Sequence, residues 1–161
     1  MENKPNRIIW HHTADTTLTP QAAKVNLYHR KIHFPISRRG FYGGYHYLIE
    51  RDGTTFQYRD ENEIGAHDKD ENVNSIGVCL AGNFDVEIPT DAQAATLAAL
   101  LKRLMSQYAI PPSRVEPHRL GDATHCPGMR LADSWAVALL PRTANDWLIK
   151  QLRDILLKLE Q

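Results

Sequence analysis

The chain has 161 residues, 42% of them hydrophobic, and its 19 lysines and arginines balance 19 aspartates and glutamates. That length suits one domain able to bury a core without disulfide or metal staples, and the balanced charge excludes a global field toward nucleic acid or an anionic membrane. Two cysteines, Cys79 and Cys126, exclude a disulfide-rich framework, and no stretch reaches the ~20 apolar residues of a membrane span.

The segment Met1 to Arg7 lacks the apolar stretch of a signal peptide, so the chain is expected to be made and left in the cytoplasm. Arg7 to His12 reads as a short buried strand, Ile8-Ile9-Trp10 leading into paired histidines. Period-two alternation sends His11 and His12 to opposite faces, so only one of them readily faces a site. Thr19-Pro20 signals a helix start, with threonine as N-cap and proline at the first helical position, and the helix runs to about Lys31 and carries His29. From His33 to Gly44 the composition is that of a loop able to border a cleft, with Pro35, Gly40, Gly43 and Gly44. Tyr45 to Glu50 and Thr54 to Arg59 flank Arg51-Asp52-Gly53, a hairpin signal that makes the two runs antiparallel neighbours.

A polar loop from Asp60 to Asn74 precedes a buried strand from Ser75 to Ala81, in which Cys79 reads as a small buried hydrophobe. Thr90-Asp91-Ala92-Gln93 is a capping box, and Leu97, Leu100, Leu101, Leu104, Met105 and Tyr108 follow at helical spacing as a stripe that packs on the sheet. Pro111-Pro112 breaks this helix, Arg114 to Pro117 forms a short edge strand, and His118 opens an irregular loop reaching Gly128. A helix is expected from about Leu131 to Leu140. After Pro141, Thr143 caps a last helix with Trp147, Leu148, Leu152, Ile155, Leu156 and Leu159 on its apolar face. No repeat, low-complexity tract or linker divides the chain, so residues 1–161 are expected to form a single domain.

Three of these residues carry chemistry. His11, His118 and Cys126 offer two imidazole nitrogens and a thiolate sulfur, donors that favour zinc, and three protein ligands leave a fourth tetrahedral position open. His118 and Cys126 are eight residues apart, too far for one helical face, so a loop must curl back to bring both to one metal. The competing reading makes Cys126 a nucleophile with a histidine base, an activity that would survive chelation.

Five motifs in order then identify a family. They are Ile8-Ile9-Trp10-His11-His12-Thr13-Ala14; Gly44-Tyr45-His46-Tyr47-Leu48-Ile49 with Arg51-Asp52-Gly53-Thr54; Gly65-Ala66-His67; Asn74-Ser75-Ile76-Gly77-Val78 with Gly82-Asn83-Phe84; and His118-Arg119 with Thr124-His125-Cys126-Pro127-Gly128. Across about residues 8 to 130 the chain resembles the zinc-dependent N-acetylmuramoyl-L-alanine amidases of the type 2 family, which includes phage amidase lysozymes and peptidoglycan recognition proteins. The resemblance implies an α/β fold, a single domain with a central mixed β-sheet flanked by helices and the zinc site in a groove at one face. It places the family-like core at about 8–140, with an extra C-terminal helix at about 143–161.

It also implies one zinc ion per chain held by His11, His118 and Cys126, and so selects the first of the paired histidines. Tyr45 matches a tyrosine associated with catalysis, whose phenol can hydrogen-bond the developing oxyanion. Thr124 matches a position that is lysine in some phage members and threonine in many recognition-protein amidases; as a neutral donor it stabilises an oxyanion less than a cation would. His67 matches a groove histidine that contacts substrate, and His46 is a further candidate at the substrate.

The activity so implied is hydrolysis of the amide between muramic acid and L-alanine in peptidoglycan, by a phage or prophage endolysin. Within the same chemistry, the rival is a cytoplasmic amidase that recycles wall fragments. A non-catalytic peptidoglycan-binding protein is disfavoured, because such relatives typically replace the cysteine ligand and this chain keeps Cys126. Some phage lysozymes of the family also bind an RNA polymerase; nothing in these residues speaks for or against such a partner.

Overall fold

The structure is a computed structural model and describes residues 2–141. Five strands form one mixed sheet in the order β3-β2-β4-β1-β5, where β1 is Arg7–His12, β2 Tyr47–Ile49, β3 Thr55–Gln57, β4 Ser75–Leu80 and β5 Val115–Pro117. β4 and β5 run parallel to the central β1, and β2 runs parallel to β4. β3 returns antiparallel to β2, as the Asp52-Gly53 turn requires. Four strands therefore end on the same edge of the sheet, where ligands of open α/β sheets collect.

Alternation along the strands gives the sheet two unlike faces. On one, Ile8, Trp10, Tyr47, Ile49, Ile76, Val78 and Leu80 meet Leu97, Leu100, Leu101 and Leu104 of α2 (Asp91–Tyr108). Each such side chain contributes about 1.5–3 kcal/mol by leaving water. The expected capping box starts α2: Gln93 N donates to Thr90 Oγ1 at 3.1 Å and Thr90 N to Gln93 Oε1 at 3.1 Å. The helix stops at left-handed Ala109 (φ 52°), before Pro111 is reached.

The other face carries Ile9, His11, Leu48, Gly77 and Cys79, in registers that set His11 beside Cys79 and Cys79 beside Leu48. It packs against Val25 of α1 (Ala22–Lys31) and against Phe41, Tyr45 and Tyr58. Here α1 begins at Ala22, later than Thr19-Pro20 predicts. The Glu50 carboxylate just past β2 accepts from Gln21 N and Ala22 N at 2.7 Å each, so a distant anion caps the helix in place of Thr19.

The helix expected over about 131–140 is the single turn α3, Trp135–Ala138. The preceding main chain is committed elsewhere: Arg130 N donates to Phe84 O at 3.0 Å and Met129 N to Asp85 Oδ1 at 2.9 Å. The last helix expected from Thr143 lies outside the described residues. Among those residues, no helix is long and apolar enough to cross a membrane.

Candidate metal centre and active site

His11 occupies the fifth position of β1, on the α1 face, and is 1% exposed. His118 follows the last residue of the neighbouring β5 and opens a short 3-10 turn, His118–Leu120. Cys126 returns on the loop beyond. The ligand atoms of all three lie within 4.8 Å of one another. Cys126 Sγ stands 3.7 Å from His11 Nδ1, and the two imidazole rings have centroids 4.4 Å apart. Zinc bonds of about 2.0 Å to nitrogen and 2.3 Å to sulfur give a tetrahedral edge of roughly 3.6 Å, so the His11–Cys126 separation fits that metal.

Burial pushes the His11 imidazole well below its usual pKa, so a lone pair is available at neutral pH. The Cys126 thiol is pushed up to about 12, chiefly by burial. A thiol there ionises only with a cation beside it, and ligation is thereby coupled to proton release.

The loop returns Cys126 to this place because Arg119 clamps it. Arg119 N donates to Cys126 O at 2.8 Å, and its guanidinium reaches Gly128 O, Leu131 O and the Asp133 carboxylate at 2.6 to 2.8 Å. Gly128 closes the same loop at φ 109°, and a Cβ there would meet the Phe84 carbonyl carbon at 2.3 Å, so no side chain fits. His118 Nε2 lies 3.0 Å from Asp122 Oδ2 and 3.9 Å from Asp68 Oδ2, the carboxylate setting that orients a ligating histidine. His67, Asp68, His118 and Asp122, with Phe34, Ala66, Lys69 and Asn72, line a cleft of about 320 Å³ beside the centre.

Residues 1–129 match the family of N-acetylmuramoyl-L-alanine amidases. The chain belongs to this family. It is 39% identical over 97 residues to the endolysin of Enterobacteria phage T3, an alignment covering 57% of this chain and 63% of that one. It is 46% identical over 70 residues to the endolysin of Escherichia phage T7, covering 40% and 46%. The chain thus matches about half to two thirds of the length of these phage relatives. The N-acetylmuramoyl-L-alanine amidase LysC from Clostridium intestinale URNW has a similar fold, with a TM-score of 0.71 and 35% identity over 84% of this chain and 85% of that one.

In this amidase-family chain Tyr45 stands beside the triad, its ring 5.0 Å from His11 and 5.5 Å from His29. Burial, with Cys79 and Cys126 nearby, holds its phenol well above the usual tyrosine pKa, so it remains a proton donor. Thr124 Oγ1 accepts from Cys126 N at 3.2 Å, which shapes the turn into the cysteine and leaves the hydroxyl proton for another partner.

The two histidines expected at the substrate stand differently. His46 is fully buried, Nε2 lies 2.9 Å from Glu63 O, and Nδ1 accepts from Gly77 N at 3.0 Å. Both nitrogens are spent on main chain, so His46 joins β2 to the 60–74 loop and offers nothing to a ligand in the cleft. His67 lines the cleft, yet Nδ1 lies 3.1 Å from His11 Nε2 and Nε2 lies 3.2 Å from Ser75 Oγ. Sequence reasoning missed Glu50, Arg119 and Asp122. Arg119 stood within a recognised motif, but nothing local in the sequence tells which carbonyls a guanidinium will reach.

Proposed function

We propose that this chain is a zinc-dependent N-acetylmuramoyl-L-alanine amidase that hydrolyses the amide between the lactyl group of muramic acid and L-alanine, acting as a phage or prophage endolysin. The observation that carries the reading is the convergence of His11, His118 and Cys126 beside the Tyr45 ring, next to an open cleft. The names of the phage and clostridial relatives support the bond and the role.

Bound by these three ligands, zinc would lower the pKa of water toward about 7 and polarise the amide carbonyl. The chain's own groups do the rest. The Tyr45 phenol donates to the oxyanion that develops as water adds to the carbonyl carbon, and the Thr124 hydroxyl is a second, weaker donor. His11 is buried and Tyr45 and Thr124 are partly buried, so these hydrogen bonds form in a partly dehydrated site, which strengthens them. Cleavage leaves a carboxylate on the lactyl group and a free α-amine on L-alanine. The cleft between Phe34, Asn72 and Asp122 accommodates the extended stem peptide.

Intact sacculi and soluble anhydro-muropeptides, offered side by side with products identified by mass spectrometry, test the reading. Release of stem peptides with a free L-alanine amino terminus from sacculi is expected. Cleavage confined to soluble fragments would overturn the endolysin role, and products with the muramoyl–alanine bond intact would overturn the reaction.

A further inference from the structure

Two motifs remain without a role in this chemistry: Gly65-Ala66-His67, and Ser75 with Gly77. The structure brings them together around one ring. Gly77 lies on the same sheet face as His11, and a Cβ there would meet three atoms of the His67 imidazole at 2.5 to 2.8 Å. A Cβ at Gly65 would meet the same ring at 2.5 Å from the other strand of chain. Asn72 pins the main chain below, its Oδ1 accepting from His67 N at 2.8 Å and Asp68 N at 3.1 Å. His67 is therefore held in a slot that two missing side chains create.

Proton counting gives the ring a direction. Ser75 Oγ lies 2.6 Å from Glu71 O, a carbonyl that can only accept, so the hydroxyl proton points there. The contact at 3.2 Å between Ser75 Oγ and His67 Nε2 must then be donated by the ring. A neutral His67 with its proton on Nε2 has an acceptor at Nδ1, and the nitrogen 3.1 Å away, His11 Nε2, must supply the hydrogen. That leaves His11 Nδ1 bare, the atom facing Cys126 Sγ. We propose that the chain Glu71 C=O, Ser75, His67 fixes the tautomer and ring orientation of His11, so that His67 and Ser75 are positioning residues of the metal centre. The inference rests on His11 being a metal ligand.

The opposite polarity cannot hold a metal. If His67 donated from Nδ1, His11 Nε2 would accept and the proton would sit on Nδ1, where the cation must bind. The relay thus selects one of two tautomers that are close in energy in water, and does so with neutral groups buried beneath the site.

The test measures zinc affinity by competition with a chromophoric chelator, independently of any hydrolysis, in the full chain and in Ser75→Ala, His67→Leu and His67→Asn. Partners of this kind carry about 10- to 100-fold in metal affinity. Ser75→Ala is expected near the lower end of that range and His67→Leu near the upper. His67→Asn should return to within a few-fold of the parent, because its Oδ1 can accept from His11 Nε2. In the metal-free chain, nitrogen-15 correlation spectra should put the His11 proton on Nε2, and Ser75→Ala should yield a tautomer mixture. Folding of each variant is checked by circular dichroism; Ser75→Ala, the smallest change, keeps the test open if His67→Leu fails to fold. Parental zinc affinity together with an unchanged His11 tautomer in Ser75→Ala overturns the relay alone. Failure of the parent chain to bind one zinc removes the metal-centre reading and the relay with it.

Discussion

The α2 face of the sheet and the α1 face use the same strands under different physical terms. Ile8, Trp10, Ile76, Val78 and Leu80 meet four leucines of α2 through non-directional burial, whose worth follows area and volume. One position along, Cys79 keeps an apolar neighbourhood with Leu48 and Tyr58, but His11 and Gly77 face the His67 ring, where a side chain's value depends on which atom of which partner it meets. Exchange of shape on the first face costs stability, whereas on the second the directed contacts of His11 and His67 constrain which atoms a replacement must supply. Parallel pairing makes this division possible, because buried parallel strands can leave one edge open to a ligand.

Breaking the histidine face outright has the largest expected effect. Cys126→Ser or His118→Ala should reduce both zinc content and amidase activity to background; stoichiometric zinc in an inactive Cys126→Ser chain would count against the ligand set. Next comes Tyr45→Phe, which should keep one zinc and lose about 10²- to 10³-fold in kcat, the cost of an oxyanion donor. A full rate in that variant would assign Tyr45 to packing.

On the other face, Leu101→Ala should cost about 2–5 kcal/mol in denaturant unfolding, because it opens a cavity in a fully buried layer, with zinc affinity unchanged in the folded chain. A loss of zinc affinity there would join the two faces that the sheet is argued to separate. The smallest effect is an acid dependence. Burial lowers the His46 pKa to about 4 from the usual value near 6.5. Between these values the unfolded chain takes up a proton that the folded chain refuses. Stability from this residue is therefore complete above about pH 6.5 and is lost as pH falls toward 4, by up to about 3 kcal/mol. Melts of the metal-free chain should show that loss added to those of His11 and His67, which burial also lowers, and His46→Asn, which can still accept from Gly77 N, should lessen it by the His46 share. An unchanged slope would put the acid sensitivity in the other buried imidazoles, His11, His67 and His29, the last also lowered to about 4.

What the sequence made legible divides along the same faces. The α2 stripe, the Thr90 capping box and the extent of β1 are local patterns, and each stands where expected; the hairpin turns at Asp52-Gly53 as expected, with strands trimmed to Tyr47–Ile49 and Thr55–Gln57. The start of α1 departs from the Thr19-Pro20 signal because its cap, Glu50, lies 28 residues beyond Ala22 and no local pattern refers to it. The expected 131–140 helix shrank to one turn because Phe84, Asp85 and Arg119 occupy the main chain before it. In the site, donor chemistry and motif order pointed to His11, His118 and Cys126. They did not reveal that His46 turns inward or that both His67 nitrogens are engaged. Ring direction is decided by tertiary partners such as Ser75 and Glu63, and residue type alone carries no trace of it.

The most direct test of the metal-centred amidase is mass spectrometry of a defined muropeptide digested by the native, chelated and zinc-reconstituted chain, with zinc content measured in each. One zinc per chain is expected, with cleavage between muramic acid and L-alanine that disappears on chelation and returns when zinc is restored. Cleavage of that bond by a chain freed of metal would contradict it.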